Sequence, residues 1–217
     1  KKAQQGDKDA KIEASVLGQA LELLRASKPA RLVQAKDGEE AKALQRAQLL
    51  TAKPVLYVCN VDEGEAAIGN ALSEQVFERA GSEGAEAVVI SAGIEAEIAT
   101  LPAEERDAFL ADLGLHETGL NRMIQAAYKL LGLITFYTAG PKEARAWTVH
   151  KGAKAPEAAG EIHTDFERGF IRAETIAYED YVKFGGETGA RDAGKLRSEG
   201  KDYVVKDGDV LLFRFNV

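Results

Sequence analysis

The sequence has a single cysteine, Cys59, and one thiol cannot build an intramolecular disulfide framework. It has no apolar run near the ~20 residues that a membrane-spanning helix needs, so a membrane protein is not expected. No secretory signal opens the chain, which points to a reducing, cytoplasmic setting. There is no initiator methionine either: the chain starts Lys1-Lys2-Ala3-Gln4-Gln5, reads as cut from something longer, and leaves room for a targeting segment upstream. Positive charge is in deficit, with 28 Lys+Arg against 35 Asp+Glu and a net charge of −7. That argues against nucleic acid as a general partner, because phosphate neutralisation supplies most non-specific affinity. The deficit is uneven: residues 1–133 hold 15 basic against 21 acidic side chains, residues 134–217 hold 13 against 14. The second part can therefore present a local basic face, for example Arg145, Lys151, Lys154, Arg168 and Arg172, or these are a solvated surface.

What is present is a globular composition, 45% hydrophobic and 29% charged, in a chain longer than one minimal domain needs, so two modules are expected. Asp9 to Ser27 places Ile12, Val16, Ala20 and Leu24 on one helical face, widened by Leu17, Leu21 and Leu23, with Pro29 marking its end. This helix is either one arm of a projecting hairpin or a helix packed on its own domain. A second helix, Asp37 to Leu50, starts with Asp37 as N-cap and Glu40 three residues on, and buries Ala43, Leu44, Ala47 and Leu50. Lys53 to Asn60 is then a continuous apolar run, as expected of a parallel strand covered on both faces. Cys59 within it reads as a small core residue, since no histidine is near in sequence to activate it.

A helix follows with Ile68, Leu72, Val76 and Phe77 on one side, then a second buried strand, Ala87 to Ile90, ending in Ser91-Ala92-Gly93. Strand, helix, strand at this spacing predicts a βαβ unit whose right-handed crossover puts both strand ends at one edge of the sheet. Ligands of open α/β sheets bind at that edge. Asn60-Val61-Asp62-Glu63 and Ser91-Ala92-Gly93 are therefore the two candidate loops. Asn60 offers a donor and an acceptor to a purine edge, and a small Ser-Ala-Gly turn lets backbone N–H groups approach a ring. Alternatively, Asn60 caps the following turn and Gly93 supplies a turn conformation. Pro102 to Leu113 and Glu117 to Leu131 read as helices, the latter aligning Leu120, Ile124, Ala127 and Leu131, and Gly132 stops it. The module boundary is placed there.

Beyond Gly132, Leu133–Thr138, Arg145–His150, Ala173–Lys183 and Val210–Phe215 are strand candidates, the last preceded by the turn signal Lys206-Asp207-Gly208-Asp209. Between them, Gly160 to Phe170 spaces Ile162, Phe166 and Phe170 four apart, predicting a small helix whose apolar face covers the sheet. Four or five strands crossed by one helix make a β-grasp-like roll. Trp147, next but one to Arg145, is a stacking platform for a base or is buried against that helix. His163, flanked by Glu161 and Asp165, has no nucleophile or metal-ligand spacing around it and is read as a structural hydrogen bond or an RNA contact. His116 and His150 read as loop or strand-end residues.

Thr138-Ala139-Gly140-Pro141, Arg145-Ala146-Trp147-Thr148, Lys151-Gly152-Ala153-Lys154-Ala155-Pro156, the Gly160–Phe170 stretch and Asp207-Gly208-Asp209 together resemble the C-terminal TGS domain of the Obg-like ATPase (YchF) family. Asp9 to about Ala35 resembles the returning part of that family's inserted helical domain, and Lys53 to Gly93 the last strands of its GTPase-type domain. The resemblance covers essentially the whole chain. It implies an α/β fold: part of a helical, coiled-coil insert over residues 1–35, the C-terminal part of a P-loop-type parallel α/β nucleotide-binding domain over 36–132, and a β-grasp, ubiquitin-like TGS domain over 133–217. Asn60-Val61-Asp62-Glu63 matches the family's altered base-recognition motif, standing where ordinary GTPases carry Asn-Lys-x-Asp. An Asp there accepts from guanine N1–H and N2–H₂, whereas the unprotonated N1 of adenine would repel it. Glu63 and Val61 in place of Asp and Lys remove that clamp and leave Asn60 for an adenine N6/N7 edge. The resemblance thus implies ATP over GTP, with Asn60, Val61, Glu63, Ser91, Ala92 and Gly93 on the base side.

The sequence departs from the family in one respect. No G-x-x-x-x-G-K-[ST] phosphate loop and no upstream D-x-x-G element is found in it. ATP and Mg²⁺ are expected of the full-length parent, and neither is expected to bind this chain tightly or to be turned over by it alone. The resemblance implies a translation-associated ATPase in full-length form, contacting ribosome or RNA through the helical arm and the TGS domain, with Arg145, Lys151, Lys154, His163 and Arg168 as candidate contacts. A stand-alone, non-catalytic RNA or protein interaction module is the other reading. An incomplete parallel sheet exposes an unpaired edge, so dimerisation through that edge is also expected.

Overall fold

The computed structural model describes residues 7–140 and 143–216. The opening Lys1–Gln5 and Pro141 of the Thr138–Pro141 motif lie outside the described residues. The chain divides into two compact units, between Leu130 and Leu131, and each combines helices with a sheet. No described helix is long and apolar enough to cross a membrane.

In the first unit, α1 (Lys8–Arg25) is N-capped by Asp7, whose carboxylate accepts from Ala10 N–H. Its Val16 and Ala20 are buried, and it packs against α2 (Gly38–Arg46), while Leu17, Leu21 and Leu24 stay exposed. Asp37 caps α2 by accepting from Glu39 and Glu40 N–H, and Glu40 reaches back to Lys36 N–H, one residue before the cap. Strand β1 (Leu56–Asn60), helix α3 (Ala71–Glu83) and strand β2 (Glu86–Ile90) follow. The strands pair in parallel, Leu56 beside Glu86 through Asn60 beside Ile90. Asn70 and Ser73 form a reciprocal cap at the start of α3, and Gly84, in the left-handed region at φ 63°, ends it. Helices α4 (Ala92–Thr100), α5 (Ala103–Asp112) and α6 (Gly119–Leu131) complete the unit, with a small core of Ala66, Ile94, Ile98, Leu110 and Leu115.

A buried ionic joint ties this unit together. The Glu83 carboxylate accepts from Arg31 Nη2 at 2.5 Å, from the Tyr57 hydroxyl at 3.0 Å and from Arg79 Nε. Arg31 Nε also donates to the Glu83 carbonyl at 2.8 Å. The chain between α1 and α2 is thereby pinned to the end of α3 and to β1. The Tyr57 hydroxyl, with Arg79 and Arg31, holds the Glu83 carboxyl below its ordinary value against the opposing pull of burial.

The second unit is built on a five-stranded mixed sheet in the order β4-β3-β7-β5-β6, comprising β3 (Leu133–Ala139), β4 (Ala144–His150), β5 (Phe170–Ala177), β6 (Arg197–Glu199) and β7 (Asp209–Phe215). Only the central β3–β7 pair is parallel. Helices α7 (Ala155–Ile162) and α8 (Thr164–Arg168) lie against it, and α9 (Tyr178–Lys183) and α10 (Glu187–Asp192) follow β5. Ala155, Ala158 and Ala159 are fully buried, so α7 approaches the sheet closely over Ile134, Phe136, Leu211 and Phe213. Fully burying a side chain such as Phe136 contributes about 1.5–3 kcal/mol. Asp207 accepts from Thr135 N–H at 2.8 Å, and buried Asp209 accepts from the Tyr203 hydroxyl at 2.7 Å and from Lys206 N–H at 2.9 Å. Burial first, then the Asp209 contact, push the Tyr203 hydroxyl up to about 12.

Several sequence expectations are corrected. Gly160–Phe170 is not one helix: His163 adopts extended backbone, ends α7 and caps α8 by accepting from Asp165 N–H, and Phe170 already opens β5. Ile162, Phe166 and Phe170 still reach the same core. Ala173–Lys183 is strand only to Ala177, where its partner β7 begins at Asp209 and pairing runs out. Helix α2 stops at Arg46, Gln48 takes φ 50°, and Leu50 is exposed in a separate short turn. The expected buried side of the third helix is inverted: Ile68, ahead of α3, is 89% exposed and Leu72 71%, while Ser73, Ala80 and Glu83 are buried. Leu120, Ile124 and Leu131 of α6 are likewise exposed. Val58 is exposed too, so β1 is not covered on both faces.

Two outcomes test these contacts. A Cβ on Gly169 would lie 2.1 Å from the Asn216 carbonyl oxygen, so Gly169→Ala is expected to lower the stability of the second unit by on the order of 1–3 kcal/mol in denaturant unfolding. Because the folded Glu83 carboxyl titrates below its ordinary 4.5, its stabilisation is complete above that value. It is lost as pH falls through the folded value, and Glu83→Gln is expected to flatten that acid limb of the thermal midpoint.

Candidate functional site

The parallel register sets the two candidate loops side by side. Asn60 ends β1 beside Ile90 at the end of β2, and Val61 N–H extends the pairing by donating to the Ile90 carbonyl at 2.9 Å. The Asn60 side-chain oxygen accepts from Ala92 N–H at 2.9 Å. Glu63, in the short turn Glu63–Glu65, lies over Gly93: a Cβ there would come within 2.9 Å of Glu63 Oε1. Ser91-Ala92-Gly93 is not a free turn. Ser91 is the buried N-cap residue of α4, and Ala92 and Gly93 are its first two helical residues. Asn60, Val61, Glu63, Ser91, Ala92 and Gly93 thus form one contiguous group, with Asn60, Glu63, Ala92 and Gly93 exposed.

This arrangement changes what Asn60 can do. With its oxygen engaged by an orphan amide of α4, the group left for a ligand is the side-chain –NH₂. That donor suits purine N7, which adenine and guanine share. The exposed Glu63 carboxylate beside it adds an acceptor. A cleft of about 250 Å³ beside these residues is lined by Tyr57, Val58, Cys59, Asn60, Val61 and Ser73, among others. Burial pushes the Cys59 thiol up, away from the reactive thiolate.

The candidate partner contacts do not converge in the same way. Arg145 stands over the half-buried Trp147 ring at 4.1 Å, and Trp147 Nε1 donates to Thr138 Oγ1 at 2.9 Å. The indole is thereby packed and covered rather than open. Lys151 follows the far end of β4, six residues or about 20 Å beyond Arg145. Lys154 is paired with Asp202 at 2.7 Å, and that hydrogen bond raises its titration. His163 caps α8, and Arg168 is that helix's exposed last residue. Arg172 pairs with Glu174 at 3.1 Å.

Two residues at the site escape sequence reasoning. Glu95, one turn into α4, accepts from Gly119 N–H at 2.6 Å and Leu120 N–H at 3.2 Å at the start of α6. Their separation of 24 residues hides the contact; the only local hint is a glycine opening a helix just after Thr118. For the site itself, Asn60→Ala is expected to remove the Ala92 hydrogen bond and to speed hydrogen exchange of that amide by about fivefold, since one such bond is worth ~1 kcal/mol.

A family model named YchF-GTPase_C, described as a protein of unknown function (DUF933), matches residues 133–216. The ribosome-binding ATPases YchF of Bacillus subtilis (strain 168) and Escherichia coli O157:H7 are 54% and 53% identical to the chain, over all of it and over 60% and 59% of their own lengths. The chain thus spans about three-fifths of the curated relatives it matches. The solved structure of the Schizosaccharomyces pombe YchF GTPase is 31% identical and superposes with a TM-score of 0.80, covering 94% of this chain and 55% of that one. A GTP-binding protein from Pyrococcus horikoshii OT3, 18% identical with a TM-score of 0.54 over 82% of this chain and 49% of its own, shares the fold alone. Homology along the full chain, a family-specific second unit and a common fold place this protein in the YchF family, whose C-terminal portion it matches.

Proposed function

We propose that this chain carries the base-recognising and partner-contacting portion of a translation-associated nucleotide-binding protein. The observation that carries the reading is the latch between the two strand ends, Asn60 to Ala92 and Glu63 over Gly93, which leaves an amide donor and a carboxylate exposed together. An amide –NH₂ for N7 and a carboxylate able to accept from the adenine N6–H₂ favour an adenine base, and the replacement of Asn-Lys-x-Asp by Asn60-Val61-Asp62-Glu63 supports ATP over GTP. The relatives' names divide on this point, ATPase for the bacterial proteins and GTPase for the yeast structure.

The residues present fit a base rather than a Mg²⁺–triphosphate. Among the described residues no group of three or more His, Cys, Asp or Glu side chains could hold a metal ion, and the sequence contains no G-x-x-x-x-G-K-[ST] loop. In this reading phosphate binding, Mg²⁺ and hydrolysis belong to the longer parent, and no hydrolytic step is assigned to these side chains. The second unit, a mixed sheet crossed by α7 and α8, is read as the β-grasp TGS domain, and α1 as part of the helical arm. The bacterial relatives are named ribosome-binding, which supports ribosome or RNA as partner and with it a cytoplasmic setting. Arg145 and Lys151 are the strongest candidate contacts, since Lys154 is already paired. Each strand of the two-stranded sheet has an unpaired edge among the described residues, which supports dimerisation as a secondary proposal.

Two measurements test the reading. Titration of the chain with adenosine should shift the Ala92 and Gly93 amides, and guanosine should do so more weakly; equal or stronger guanosine shifts would reverse the base assignment. Co-sedimentation with ribosomes should weaken as salt rises and fall several-fold when Arg145 and Lys151 are both changed to Glu. Unchanged binding would move the partner surface elsewhere.

A further inference from the structure

The start of α4, Ser91-Ala92-Gly93, is anchored through Gly119 as well as through Asn60. Ile90, the last residue of β2, precedes the loop, and Glu95 follows it by one turn of α4. A Cβ on Gly119 would come within 2.9 Å of Glu95 Oε1 and 3.0 Å of an Ile90 methyl, so both flanks of the loop close on the same bare Cα. The Glu95 carboxylate then takes the first two amides of α6, Gly119 at 2.6 Å and Leu120 at 3.2 Å. Those amides have no intrahelical partner, and an anionic acceptor at a helix N-terminus is favoured by the helix dipole. Thr118 Oγ1 accepts from Asn121 N–H at 3.1 Å, so Glu95 adds to a capped end and does not replace its cap. The loop is also held by Asn60 and Val61.

We propose that Glu95 is a positioning residue for base recognition: by clamping the first turn of α4 to the start of α6, it sets where Ala92 and Gly93 present themselves, without touching the ligand. This rests on the base-site reading above. The clamp works only while Gly119 lacks a side chain. Substitution at either position loosens the first turn of α4, and base affinity falls because that turn must be fixed again upon binding. A glutamine at position 95 retains one acceptor oxygen, enough for one of the two amides, and loses the second bond and the charge.

The test uses the 217-residue chain, nuclear magnetic resonance titration with adenosine, and amide exchange read residue by residue. Glu95→Ala and Gly119→Ala are each expected to weaken adenosine binding by on the order of three- to tenfold. They should speed exchange at Ala92 and Gly93, with the Leu110 and Phe213 amides unchanged. Glu95→Gln, which keeps one of the two hydrogen bonds, should bind with an affinity between those of the parent and Glu95→Ala. Wild-type affinity in Glu95→Ala, with Asn60→Ala weakened, overturns the positioning role and leaves the base site standing. Exchange that rises throughout the first unit, without rescue by Gln, shows a general stability role and also overturns it. No adenosine shift at Ala92 and Gly93 in the parent chain, or none lost in Asn60→Ala, overturns the base-site reading and this proposal with it.

Discussion

The parallel register of β1 on β2 is the constraint on which the candidate site depends, because it puts Asn60 beside Ile90 and so brings two loops thirty residues apart to one sheet edge. Two successive hydrogen bonds then close the gap, Val61 N–H to Ile90 and Ala92 N–H to the Asn60 side chain. A one-residue slip would turn Asn60 to the opposite face of the sheet and break both. The register therefore fixes the candidate site as well as the sheet.

Polar joints tie distant segments of the first unit to one another around a small apolar core. Glu83 gathers Arg31, Tyr57 and Arg79, and Glu95 gathers the start of α6. The buried Glu83 carboxylate is tolerated because each of its oxygens is paired; removal of one partner would leave a desolvated charge behind. The second unit is built differently. Its core is apolar and alanine-lined, and its polar contacts sit at the edge, where Asp207 and Asp209 tie the turn before β7 to β3 and Tyr203.

The exposed apolar positions of the first unit show how far periodicity carries. Leu120, Ile124 and Leu131 recur at helical spacing and α6 is a helix, so the pattern was legible for the element. A stripe states that a face is apolar and says nothing about what lies against it, and here those residues are exposed. The same holds for Leu72 of α3, where the Asn70 cap marks the start of the helix and Ser73 and Ala80 are the buried positions.

Local chemistry determined much of this protein from sequence alone. Asp37 and Gly132 set helix ends, the apolar runs at β1 and β2 implied a parallel pair, and the short strand candidates at β3, β4 and β7 implied a second sheet. Asn60 to Glu63 and Ser91 to Gly93 were legible as neighbours because a right-handed βαβ unit leaves its strand ends at one edge. Tertiary structure decided the rest. It broke the Gly160–Phe170 helix at His163, where an imidazole cap competes with helical continuation, and it ended β5 at Ala177, where no partner strand remained. It also took the Asn60 oxygen for Ala92 and placed Glu95 on Gly119. Contacts of that kind join residues 24 to 32 positions apart, and no local pattern encodes which distant amide will fill an acceptor.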